Sequence, residues 1–178
     1  MIASLDDAWS WYTSARTLSR WTDRLAVKYW NTDSWAETLR LDNQFRFVES
    51  SRIREQSRTV LADLDDLCVL LMFSVFEAVV RERARLDVER SLPERLHPAV
   101  EHAVRGLQRE IETGSFRGVT AAFRSVDPDL IEEVDQVRRY RNWVAHGRRG
   151  SQPAFVDPPG AYDRLGRFLQ KLTDATTT

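Results

Sequence analysis

Leu67-Cys68-Val69-Leu70-Leu71-Met72-Phe73 is a run without a polar side chain, and its reading decides the fold. It lies inside a stretch, about Ser50 to Arg90, that holds neither glycine nor proline. At about 3.6 residues per turn a helix through this run is apolar on every side, which places it at the centre of a bundle. The run is too short to span a bilayer even when extended to Phe76, so no membrane contact is expected. One long central helix is the first expectation.

Working outward, the flanks read as further helices. From about Ser4 to Trp30, Leu5, Trp9, Tyr12, Leu18, Trp21, Leu25 and Val27 keep helical spacing, and aromatics so spaced belong to a core or an interface. Asn31-Thr32-Asp33-Ser34 breaks that pattern. Leu39-Arg40-Leu41 and Phe45-Arg46-Phe47, around Asp42-Asn43-Gln44, alternate in a way that suits a small hairpin near 38–48, with a short helix as the alternative. Beyond the long helix, Pro93 and His97-Pro98 mark a break. A helix from about Pro98 to Glu112 follows, ended by Gly114, then a short one near 118–124. The last helix, about Gly160 to Thr173, has Tyr162, Leu165, Phe168, Leu169 and Leu172 as its apolar side. Nothing alternates strand with helix. The chain reads as one all-α domain, 1–178, a bundle of about five helices.

Composition narrows the function. A net charge of −1 is no polyanion-binding signature, so nucleic-acid contact has to come from a local patch. Cys68, the single cysteine, sits in the apolar run and reads as a core residue with no disulfide framework. Asp6 and Asp7 stand where a secretory leader would be basic and then apolar, so the expected compartment is the cytoplasm.

The chemistry gathers at the end of one helix, Val137-Arg138-Arg139-Tyr140-Arg141-Asn142-Trp143-Val144-Ala145-His146-Gly147. Asp127-Pro128 opens this helix and Gly147 closes it. Leu130, Ile131, Val134, Val137 and Val144 form its buried stripe, and Arg141 falls on that stripe. A guanidinium there needs an anion or a cleft, and Glu77, set among apolar residues of the long helix, is the natural counter-ion. Asn142 and His146 are four apart and share one flank. Gly-rich phosphate loops, a dinucleotide fingerprint and a Gly-x-Ser-x-Gly elbow are all missing. His97 and His102 are five apart, a poor pair for a metal, and read as surface residues; neither metal nor cofactor is expected. Arg and His without metal can act on RNA, whose 2′-hydroxyl supplies the nucleophile. In that reading Arg141 clamps the phosphate, Asn142 orients the ring or binds a phosphate oxygen, and His146, at the carbonyl end of its helix, moves the proton. Arg138, Arg139, Arg148 and Arg149 would supply the local basic patch for RNA.

Arg141-Asn142-Trp143-Val144-Ala145-His146, followed by Gly147, resembles the Arg-polar-x-x-x-His motif of the HEPN superfamily, and the long helix with Phe76-Glu77 is similar to that family's bundle. The motif covers a few residues and the bundle pattern most of the chain; Trp143 is a bulky departure inside the motif. The resemblance implies a metal-independent endoribonuclease that works as a homodimer, with two motifs facing across a basic cleft. It implies products ending in a 2′,3′-cyclic phosphate and a 5′-hydroxyl, and Glu77 in support of Arg141. It also implies a toxin or antiviral effector, with an antitoxin protein as a possible partner. Some members bind RNA, nucleotides or partner proteins without cutting, and that is the alternative.

Overall fold

The computed structural model describes residues 2–30, 32, 37, 41–44, 46–93, 95, 97–121 and 127–174. Among them are six helices: α1 (Leu5–Lys28), α2 (Ser50–Ser91), α3 (Pro98–Thr113), α4 (Phe116–Ala121), α5 (Pro128–Ala145) and α6 (Pro158–Asp174). The described residues include no strand. Much of the hairpin expected near 38–48 is turn instead. Glu37 and Leu41 are helical in backbone, and the Arg46 N–H donates to the Asp42 carbonyl at 2.9 Å; residues 38–40 and 45 lie outside the described residues.

Local chemistry sets the helix ends. Ser4 caps α1 in a reciprocal box with Asp7, each side chain taking the other's backbone N–H. His97 caps α3, its Nδ1 accepting from the Ala99 N–H at 3.3 Å. Asp127 caps α5 by accepting from the Leu130 N–H at 3.0 Å. At the far end of α5 the chain turns left-handed at Gly147 (φ 73°). There the Gly147 N–H reaches the Val144 carbonyl at 2.9 Å and the Arg148 N–H the Trp143 carbonyl at 2.8 Å. That is the double closure of a Schellman turn, and it places His146 on the last helical step.

α2 packs against each of the other five helices. Its first half pairs with α1, where the Tyr12 hydroxyl donates to Asp65 at 2.7 Å. Its second half is the core. Cys68, Val69, Met72, Phe73, Phe76 and Val80 are buried, and Phe76 meets Phe116 and Phe168 edge-on at 5.7 and 5.4 Å. From the other helices come Val134, Val137 and Leu165, all fully buried. The centre of α2 is not covered on every side, however: Leu67 is 51% exposed, because five shorter helices do not wrap a 42-residue one. No helix among the described residues is long and apolar enough to cross a membrane.

Candidate functional site

The buried stripe of α5, Leu130, Ile131, Val134, Val137 and Tyr140, lays the helix across α2 and turns Arg141 inward. The Arg141 guanidinium lies over the Phe73 ring at 5.3 Å, a cation–π contact. One of its amino groups donates to Asn142 Oδ1 at 3.0 Å, which leaves the Asn142 amide nitrogen as a donor. The other stands 3.7 Å from Glu77 Oε2. Arg141 Nε is buried with no hydrogen-bond partner among the described residues, and so is Trp143 Nε1. Unspent buried donors are unusual, and here two fall within the motif.

Glu77 is thus close to Arg141, as the sequence suggests, but its tighter partner is Arg81. Arg81 Nε and Nη2 both donate to Glu77 Oε1, at 3.0 and 2.7 Å. The Arg81-Glu82-Arg83-Ala84-Arg85 segment reads in sequence as a solvated helix end, and Arg81 departs from that. It also donates to the carbonyls of Ile111 and Gly114, tying down the end of α3, and lies over Phe116 at 5.6 Å. The i, i+4 spacing from Glu77 was the available signal for the ion pair.

His146 is exposed at the end of α5, and its backbone N–H returns to the Asn142 carbonyl at 3.0 Å. It lies five residues beyond Arg141, about 7.5 Å along the axis. Between Val144, Ala145, Gly147 and Arg148, around the end of α5, and the α2 side chains Asp63, Asp66, Leu67 and Leu70 is an open groove of about 420 Å³. It is lined by the residues on either side of His146 but not by His146 itself.

Of the four arginines expected to form a basic patch, three are engaged by carboxylates. Arg138 donates to Asp135 at 2.6 Å, and Arg139 bridges Asp135 and Glu132. Arg148, itself left-handed at φ 59°, donates through Nε to Asp66 Oδ2 at 3.0 Å and through Nη2 to Asp63 at 3.2 Å. Only Arg149 of the four is exposed without an ion pair among the described residues. The groove wall is therefore mixed in charge and not basic.

Sequence reading did not single out Tyr140 and Asp66. The Tyr140 hydroxyl donates to Asp66 Oδ1 at 2.6 Å, while Arg148 holds the other oxygen of the same carboxylate. Burial pushes the Tyr140 hydroxyl well above its ordinary value, and the bond to Asp66 adds to the shift. One aspartate on α2 thus holds both the C-terminal part of α5, through Tyr140, and the loop that follows His146, through Arg148. Comparison with protein-family models, with curated proteins and with solved structures gives no match.

Proposed function

We propose that the chain is a metal-independent endoribonuclease of the HEPN type, acting as a homodimer. The observation that carries the reading is the Arg141 guanidinium, seated between Phe73 and Glu77 one to two turns below the exposed His146. Arg141 supplies donors fixed in place before substrate arrives, which is what a pentacoordinate phosphate needs. Asn142, held by Arg141 through its oxygen, offers its amide nitrogen to a phosphate oxygen or to the imidazole. His146 exchanges the proton with the 2′-hydroxyl or the leaving 5′-oxygen. Glu77, bound mainly by Arg81, is a positioning group for Arg141. The open groove along Leu67 and Leu70 offers a second copy a seat from which its own His146 would face this one. The cell role that follows is a cytoplasmic toxin or antiviral effector, held in check by an antitoxin protein.

A second reading is a non-catalytic module that binds RNA, a nucleotide or a partner protein. What favours it is the engagement of Arg138, Arg139 and Arg148 by carboxylates, which leaves little cationic surface at the motif.

Purified protein incubated with RNA and EDTA decides between them. Cleavage to 2′,3′-cyclic phosphate and 5′-hydroxyl ends, with DNA of the same sequence intact and His146→Ala and Arg141→Ala inactive but folded, is the expected result. Intact RNA under these conditions leaves the binding module.

A further inference from the structure

Three of the four arginines expected beside the motif are engaged by carboxylates, whereas three cations that share another helix are not. Arg20, Arg24 and Lys28 are exposed on α1, and none has an ion pair or hydrogen bond through its side chain among the described residues. Spaced four apart, they climb the helix in steps of about 6 Å. They run from the flank of α1, at Arg20, to the side opposite Ala8, Tyr12 and Ala26, the residues that α1 buries.

The same outward face continues towards the N-terminus as hydroxyls. Thr13, Ser14 and Thr17 line a shallow hollow with Leu18. Trp21 stands among the cations and is 60% exposed. Past the capping residues, Asp23 is the one carboxylate of α1, and it turns the other way, to Arg54 and Arg58 of α2 at 3.7 and 3.8 Å. From Thr13 to Lys28, about 22 Å of helix, the exposed side of α1 therefore carries hydroxyls, the Trp21 ring and cations, with Leu18, Leu25 and Val27 between them, and no acid.

We propose that this ridge holds single-stranded RNA, with Arg20, Arg24 and Lys28 on successive phosphates and a base stacked on Trp21. Charge complementarity calls for a polyanion, and a sequence-tolerant stacking platform beside a cationic row is how single strands are held. The Ser14 and Thr17 hydroxyls can bond sugar and phosphate oxygens, whereas an apolar bilayer interior would strip them of partners. The choice of RNA over other polyanions rests on the nuclease reading; the charge and stacking argument does not involve His146.

The test uses full-length His146→Ala protein, so that RNA survives, with fluorescence anisotropy of a labelled unstructured RNA oligonucleotide. Adding Arg20→Gln, Arg24→Gln and Lys28→Gln together is expected to weaken binding roughly tenfold or more. It should also flatten the slope of log affinity against log salt by about 2. Trp21→Ala alone is expected to weaken it about fivefold or more. All four positions are exposed, and circular dichroism checks the fold. In the background with His146 intact, the triple variant should cut a dinucleotide as fast as the unaltered protein, since its single phosphodiester cannot span three cations set about 6 Å apart. If nothing is cut but ridge variants lose RNA, the ridge stands and the nuclease reading falls. RNA binding that is undetectable, or unchanged in the triple variant, overturns the proposal. So does loss of binding to phosphatidylglycerol vesicles with RNA binding untouched.

Discussion

Arg141 meets Glu77 at 3.7 Å, on the carboxylate oxygen that Arg81 leaves open. The motif arginine is thus the second cation on a shared anion, and it also lies over the Phe73 ring. Neither side chain is fully enclosed, at 28% and 22% exposure, so the pair is worth less than a buried one. Glu77→Gln is expected to cost about 1–3 kcal/mol in urea unfolding, mostly through Arg81 and the end of α3. If the nuclease reading holds, it also lowers kcat by loosening Arg141. A variant as stable as the parent would show that Arg81 keeps its place through the Ile111 and Gly114 carbonyls alone.

Asp66 joins Tyr140 and Arg148, and the three should behave as one unit. Tyr140→Phe removes a hydrogen bond to a charged acceptor and is expected to cost about 1–2 kcal/mol. A double-mutant cycle with Asp66→Asn should give a coupling of about 1 kcal/mol or more. Simple additivity of the two single changes would mean that the bond contributes nothing net.

Alkaline pH should unfold the protein from the inside. Burial, reinforced by the bond to Asp65, raises the Tyr12 hydroxyl from 10.0 to about 12. Burial likewise raises the Cys68 thiol from 9.0 to about 12. Both native values exceed the unfolded ones, so the neutral forms stabilise the fold fully below the unfolded values. That stability is lost as pH rises through the folded values. The urea midpoint is expected to stay level up to about pH 9 as far as these groups are concerned, then to fall towards pH 12, and Tyr12→Phe should shallow the fall. A profile without that alkaline limb would contradict the burial of these groups.

Cys68 should also be silent to thiol reagents in the native state, being fully buried as well as protonated. Labelling is expected to follow unfolding, with one thiol per chain appearing across the urea transition. Rapid labelling of folded protein would place the α2 core in fast local opening.

Gly147→Ala isolates backbone strain. The glycine has φ 73°, and an added Cβ would meet nothing within 4 Å, so the expected cost of about 1 kcal/mol comes from conformation alone. Gly147→Asn should recover part of it, since asparagine tolerates this region. Thermal melts of the three proteins give the ranking.

How much of this was legible in the sequence follows from the range of each interaction. The long helix, the Asp127 cap and the Gly147 stop are local, and they read directly. The pairing of Arg138 and Arg139 with Glu132 and Asp135 is also local, at helical spacing, so treating these arginines as free RNA contacts overlooked an available pattern. Arg148 is different: its carboxylates lie more than 80 positions earlier, and only the α2–α5 crossing brings them together. The partial exposure of Leu67 was equally hidden, since a greasy run does not announce how many helices are there to cover it. The open face of α1 has the same origin. Its periodic aromatics read as core or interface, and Trp21, at 60% exposure, is not core.

Neighbouring residues on α5 grip α2 at points three turns apart, Tyr140 at Asp66 and Arg141 at Glu77, roughly 16 Å along that rod. Two such outriggers oppose yaw: swinging the helix either way pulls one of them loose. The backbone that carries residue 146 therefore keeps its bearing, while its exposed imidazole stays free to turn about its own bonds.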